Sequence, residues 1–209
     1  MARPRSAGWE DQRGQILAAA AALFAERGFT AATMQGLAAA CGVSKATLYH
    51  YVRDKHDLLA QIAGGHVARL EGLVADVTAL RLPPEAHLRA LIERFMHAYA
   101  SARDEHRVLT EDVKFLAELE RGEVLAAQKR VVAAFAAAIA ALRPELTDAQ
   151  LQTPLAMLLF GMINWTFTWL RPEGPLTHDA LAPLVAALFF GGLPAVPAPI
   201  AAAAVPAAP

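Results

Sequence analysis

Apolar residues along the chain recur at the three-to-four spacing of an α-helix, and no stretch alternates with the two-residue period of a half-buried strand. Ile16, Ala20, Leu23 and Phe24 form an i, i+4, i+7, i+8 stripe, which predicts a first helix from Glu10 to Arg27. Gly28 stands where a left-handed C-cap belongs, with Phe29 placed to fold back on Phe24. Thr33 is placed to cap a short helix ending at Cys41, Gly42 stops it, and Ser44 caps the next, from Lys45 to Val52. Asp54 caps a fourth helix, with Asp57 in its first turn, where the helix dipole favours a carboxylate. The stripe of that helix (Leu59, Ile62, His66, Leu70, Leu73, Val77) runs on until Pro83 and Pro84.

Further amphipathic segments span 85–102, 105–119 and 123–142. The tetrad "TDAQ" (147–150) reads as a capping box that opens a helix to Leu170, bent near Pro154. Thr177 caps a last helix, which Gly191 and Gly192 end. The pattern predicts an all-α chain of about nine helices. Three of them form a small domain over residues 1–55, and residues 56–193 form a second. A proline- and alanine-rich tail over 194–209 carries no charge and is expected to be disordered.

The pair of short helices joined by "CGVS" carries the chemistry. A tight glycine-containing turn between two short helices is the helix-turn-helix pattern, whose second helix enters the major groove of DNA. At about 100° per residue, Leu48, Tyr51 and Val52 of "SKATLYHYV" cluster on one side and Lys45, Ala46, Tyr49 and His50 on the other. The first set can pack on the preceding helices. The second faces out with cationic and hydrogen-bonding groups, and Ala46 is small enough to let the backbone approach bases.

Residues 16–59, "ILAAAAALFAERGFTAATMQGLAAACGVSKATLYHYVRDKHDLL", resemble the DNA-binding region of TetR-type transcriptional regulators. Ile16, Leu23, Phe24, Gly28, Phe29, Thr33, Gly42, Val43, Ser44, Thr47, Leu48, Tyr49, Tyr51 and Lys55 are among the matching positions, without a gap. Gly36, Cys41 and Val52 depart from the usual polar, alanine and phenylalanine residues. Gly36 is expected to loosen its helix by up to about 1 kcal/mol. The resemblance implies a dimer that binds a palindromic operator and represses transcription, or occasionally activates it, until a small molecule binds. Carried over residue by residue, it gives Thr33 and Lys55 phosphate contacts, and Ser44 and Thr47 contacts to phosphate or base edges. Lys45 is expected to donate to guanine, Tyr49 to meet a thymine methyl or a phosphate, and His50 to do either. Arg3 and Arg5 form either a minor-groove arm or a solvated terminus.

Beyond the reader, two antiparallel segments, 148–170 and 177–191, offer Leu155, Leu159, Met162, Leu181, Leu184, Val185 and Leu188 for a four-helix dimer interface. Candidate ligand-pocket residues are Phe95, Met96, Tyr99, Phe115, Phe135 and Trp165. The stretch "GMINWTFTWLRPEG" sets Trp165 and Trp169 on one helix face with Asn164 beside them and Arg171 at the end. It is similar to a segment of the acyl-CoA-responsive branch of the same regulators. That resemblance implies an apolar channel for an acyl chain and an Arg171 contact to phosphate or adenine. Another hydrophobic effector, or no natural ligand, stands beside acyl-CoA; interface packing is the alternative role for the tryptophans, and a helix C-cap interaction for Arg171. Gly64 and Gly65, mid-helix, mark either a pivot between sensor and reader or a close helix–helix contact.

Composition narrows the remaining choices. Alanine supplies about a quarter of the residues, which favours helix. The net charge is −1, but residues 1–60 hold seven Lys/Arg against five Asp/Glu, so the reader is mildly basic and the body acidic. One cysteine, Cys41, excludes an internal disulfide and suits a cytoplasmic location. The basic N-terminus has no apolar core of a secretory signal, and 154–170 comes nearest to a spanning segment but is broken by Asn164 and threonines. The seven histidines show no metal-ligand spacing, and no phosphate loop or GxSxG is present. No metal, cofactor or catalytic residue is therefore expected. A helical acyl-CoA-handling enzyme and a helical adaptor without DNA binding are the alternative readings.

Overall fold

A computed structural model describes residues 7–171 and 173–197. Among the described residues there are eleven α-helical stretches and no strand. They are α1 (Ala7–Arg27), α2 (Met34–Ala40), α3 (Lys45–Tyr49), α4 (Lys55–Ala79), α5 (Pro84–Ser101), α6 (Arg103–Glu111), α7 (Glu118–Leu142), α8 (Glu145–Asp148), α9 (Gln152–Ile163), α10 (Thr166–Trp169) and α11 (His178–Gly192). Short 3-10 turns cover Val113–Phe115 and Leu193–Ala195.

The helices gather into two compact units. One joins the residues up to Glu71 with Ser101–Gln128, and the other joins Gly72–Ala100 with the residues from Lys129 on. All three crossings between the units fall inside helices, α4, α5 and α7. In the first unit, Ile16, Ala20, Phe24, Leu37, Leu48, Leu58 and Leu59 are buried together with Val108 of α6. Burying each large side chain contributes roughly 1.5–3 kcal/mol, so α2 and α3 hold their shape through packing rather than length. In the second unit, Leu88, Leu91, Ile92, Phe95, Phe135, Ile139, Leu159 and Phe160 are buried. Phe135 lies 4.9 Å from Phe95 and 4.7 Å from Phe160, ring centre to ring centre.

Local signals explain the helix ends of the first unit. Gly28 is left-handed (φ 79°) and its N–H donates to the Phe24 carbonyl at 2.8 Å. The Phe24 and Phe29 rings meet edge-on at 5.4 Å, the hydrophobic contact of that cap. Gly42 (φ 64°) makes the turn between α2 and α3. Thr33 Oγ1 accepts from Gly36 N, and Ser44 Oγ accepts from Thr47 N.

Several boundaries differ from expectation. The tetrad 147–150 caps nothing: Thr147 lies in α8, and Gln150 is left-handed at φ 55°. The helix opens instead at Gln152, with Pro154 in its first turn, where a missing N–H costs no hydrogen bond. Pro154 therefore starts a helix rather than bending one. The segment expected to reach Leu170 stops at Ile163 and resumes as the one-turn α10. Helix α4 ends at Ala79, ahead of the prolines, because Arg81 turns left-handed (φ 50°). The expected helix over 105–119 is α6 plus a 3-10 turn, and that break lays Phe115 on Phe29 at 5.2 Å. Two stretches, Glu118–Leu142 and His178–Ala195, reach the length and hydropathy of a spanning helix, contrary to the reading of 154–170 as the nearest candidate. Both bury large side chains in the interior, Phe135 and Ile139 in one and Val185 and Phe189 in the other. Of the tail, the described part begins with the 3-10 turn at Leu193–Ala195, and residues 198–209 lie outside the described residues.

Candidate nucleic-acid interface and sensor core

The candidate surface is built on α3, a helix of five residues. Leu48 is fully buried beneath it, with Val52 just beyond. Ser44, Lys45, Ala46, Tyr49 and His50 are all exposed. The Lys45 ammonium sits 5.9 Å from the centre of the Tyr49 ring, a cation–π distance that keeps charge and phenol side by side. Ser44 Oγ and Thr47 Oγ1 are 2.8 Å apart, so the two hydroxyls act as one pair at the helix start. Thr33, exposed at the start of α2, uses its oxygen as a cap acceptor. Arg3 and Arg5 lie outside the described residues.

Lys55, expected at a phosphate, is engaged within the fold. Its ammonium donates to the carbonyls of Phe29, Thr30 and Ala32 at 3.2–3.3 Å and lies 4.6 Å over the Phe29 ring. An ammonium has three donors, and all three are taken by the α1–α2 loop. In this structure the side chain fastens that loop to α4.

Sequence reasoning missed the supports of α3. Tyr51 stacks on Trp9 at 5.3 Å and donates to Gln12 Oε1 at 2.9 Å. Arg13 donates to Gln61 Oε1 through Nε (3.0 Å) and a terminal nitrogen (2.6 Å). These partners are separated by 39 to 48 residues, and no periodicity marks such pairs. Below them, His66 and His106 are both buried. The Arg69 guanidinium can only donate, at 3.0 Å, to His66 Nδ1, so His66 carries its proton on Nε2 and donates it to His106 Nδ1 at 3.4 Å. Burial first, then His106 and Arg69, hold the His66 pKa down at about 3.

The sensor candidates divide. Phe95, Met96, Tyr99 and Phe135 share the core of the second unit, where burial pushes the Tyr99 phenol pKa up. Tyr99 donates to Asn164 Oδ1 at 2.9 Å, a polar pair at the edge of that aromatic cluster. Phe115 is not among them, because it stacks on Phe29 in the first unit. Trp165 and Trp169 are about half exposed and Arg171 is exposed, so these three lie at the surface. Among the residues assigned to the pairing face, Leu184 and Leu188 are exposed and Met162 is half-buried, but Leu155, Leu159, Leu181 and Val185 point inward. The periodicity is real, yet α9 and α11 are apolar on two faces, and spacing alone does not tell which face turns outward. The large apolar side chains exposed from α9 to α11 are Met157, Leu158, Trp165, Trp169, Leu184 and Leu188.

Residues 16–62 match the bacterial regulatory proteins of the tetR family, and residues 81–193 match the tetracyclin repressor-like C-terminal domain. The chain is 26% identical over 191 residues to the HTH-type transcriptional repressor KstR2 of Rhodococcus jostii, covering 90% of this chain and 94% of that protein. It is 28% identical over 193 residues to the HTH-type transcriptional activator FasR of Mycolicibacterium smegmatis, covering 90% and 85%. Among solved structures, a TetR-family transcriptional regulator from Bordetella parapertussis superposes with a TM-score of 0.82 at 33% identity, over 88% of this chain and 97% of that one. AibR in complex with isovaleryl coenzyme A and operator DNA superposes with a TM-score of 0.74 at 26% identity, over 85% and 97%. These relatives are transcriptional regulators, which sets aside the enzyme and adaptor readings. The chain belongs to the tetR family of bacterial transcriptional regulators.

Proposed function

We propose that the chain is a cytoplasmic, ligand-responsive repressor that binds a palindromic operator as a homodimer and is released by a hydrophobic small molecule, with an acyl-CoA thioester as the first candidate. The observation that carries the DNA half is the outward set Ser44, Lys45, Ala46, Tyr49 and His50 on a short helix whose inner side is fully buried. Cationic, phenolic and hydroxyl groups on one narrow face suit base edges and phosphates in a major groove. Two such helices spaced about one turn of DNA apart need a partner copy. The exposed apolar face of α9, α10 and α11 supplies a surface for one.

The effector half rests on the second unit and on AibR, which was crystallised with isovaleryl coenzyme A. In this reading, an acyl chain parts the contacts among Phe95, Phe135 and Phe160. The Tyr99–Asn164 pair meets the polar thioester, and exposed Arg171 takes a phosphate. An activator reading is kept open by FasR, which is named an activator. Binding of the purified chain to the DNA upstream of its own gene tests the proposal, measured with isovaleryl-CoA, palmitoyl-CoA or free coenzyme A. Repression with release predicts tight binding that an acyl-CoA weakens at least tenfold and free coenzyme A does not. Binding indifferent to all three removes the acyl-CoA effector, and failure to bind DNA removes the whole reading.

A further inference from the structure

Helix α3 has five residues, too few to stand alone. Its aim is set by what grips the chain as it leaves the helix. On one side, Tyr51 is stacked on Trp9 and bonded to Gln12 of α1. On the other, Arg53 N donates to Asp57 Oδ2 at 2.8 Å. The second oxygen of Asp57 accepts from Gln61 Nε2 at 3.3 Å, and Gln61 Oε1 accepts twice from Arg13 of α1, the neighbour of Gln12. The path from the exit of α3 through α4 to α1 and back is therefore closed by hydrogen bonds.

The chemistry of the central link is restrictive. Arg13 only donates and an ionised Asp57 only accepts, so a side chain between them must do both, and a planar amide does. The two flanking residues also fix which way that amide faces. Asp57 and Arg13 are largely shielded, with side-chain exposures of 16% and 32%, which keeps these bonds from full competition with water. Gln61 additionally lines two open clefts. One of about 330 Å³ lies beside Gly64, Val67 and Val124, and one of about 220 Å³ lies beside Gly14, Gly65 and His66.

We propose that Gln61 is a positioning residue for DNA binding, whose amide bridges Arg13 and Asp57 and so fixes the exit of the recognition helix against α1 and α4. It acts through those two residues and not by touching DNA. The proposal rests on the reading of the chain as a DNA-binding regulator. It makes the direction of the hydrogen bonds, and not bulk alone, the property on which operator affinity depends.

The test uses the full-length chain and a duplex that the wild-type protein selects from a random-sequence pool. Gln61→Leu is expected to bind that duplex about tenfold more weakly, about 1.4 kcal/mol, with an unchanged salt dependence because no phosphate contact is lost. Gln61→Glu keeps the acceptor for Arg13 but sets a carboxylate against Asp57, so it too binds weakly. Gln61→Glu/Asp57→Asn restores the same bonds with the donor and acceptor exchanged, and is expected to recover to within about threefold of wild type. If Gln61→Leu melts at a lower temperature, the comparison of the Glu variant with the exchanged pair still decides. Wild-type affinity in Gln61→Leu, or no recovery in the exchanged pair, overturns the proposal. A wild-type chain that selects no duplex overturns instead the DNA-binding reading beneath it.

Discussion

Lys55 shows how a single side chain divides between structure and function. Its ammonium is bonded to three carbonyls of the α1–α2 loop, so Lys55→Met is expected to destabilise the fold by roughly 1.5–3 kcal/mol, the range for hydrogen bonds to a charged group. Urea unfolding measures that loss. The slope of operator affinity against salt should stay as in wild type, and a shallower slope would return Lys55 to the phosphates. Lys45 behaves oppositely: it is exposed, and its charge lies against the Tyr49 ring. Lys45→Ala is expected to leave stability within about 0.5 kcal/mol. It should flatten the preference for one base pair by about 1–3 kcal/mol in a panel of single-substitution duplexes. The face of α3 was legible in the sequence because its residues are neighbours and a helical wheel places them. The commitments of Lys55, Tyr51 and Arg13 were not, because these side chains bond to partners 23 to 48 residues away. Polar pairs at such distance leave no pattern in composition or period.

At the scale of the element, the caps that read well are those whose own residues complete them. Thr33, Ser44 and Thr177 each accept from a backbone N–H three residues on, and Gly28 and Gly42 each take the positive φ they alone tolerate easily. The tetrad 147–150 read poorly because the left-handed Gln150 leaves no helix for it to open. Gly64 and Gly65 illustrate a finer point. A methyl group built on either meets nothing within 4 Å, so a close helix contact is not what keeps side chains out. Alanine at both positions is therefore expected to stabilise α4 by about 1–2 kcal/mol, read as a raised melting temperature. If the pair works as a pivot, the same variant binds operator but loses its response to effector. A response equal to wild type would dismiss the pivot.

For the whole molecule, the exposed face of α9, α10 and α11 dominates. Six large apolar residues there are each at least half exposed, the surface that the proposed pairing would cover. Leu184→Glu/Leu188→Glu is expected to give a monomer by sedimentation velocity and to abolish operator binding while the helical spectrum persists. A dimer that survives both charges would move the interface elsewhere. Stability should also depend on pH through His66. The folded protein holds this imidazole neutral down to a pH of about 3, while an unfolded histidine takes up its proton near 6.5. The unfolded chain therefore binds more protons between those values. Stability is then lost as pH falls from about 6.5, at up to about 1.4 kcal/mol per pH unit. Urea midpoints at pH 7 and pH 5 measure this, and a His66→Gln variant should lack the slope. An equal slope in the variant would assign it to other groups.

The brevity of α3 has a practical consequence. A helix of five residues, cut from its neighbours, collapses into coil, so residues 44–50 cannot be transplanted into another scaffold as a portable reading head. On the proposed reading of α3 as the DNA-contacting helix, retargeting this regulator to a new DNA sequence means exchanging side chains in place, with Trp9, Gln12 and Tyr51 left as the mount that keeps the head level.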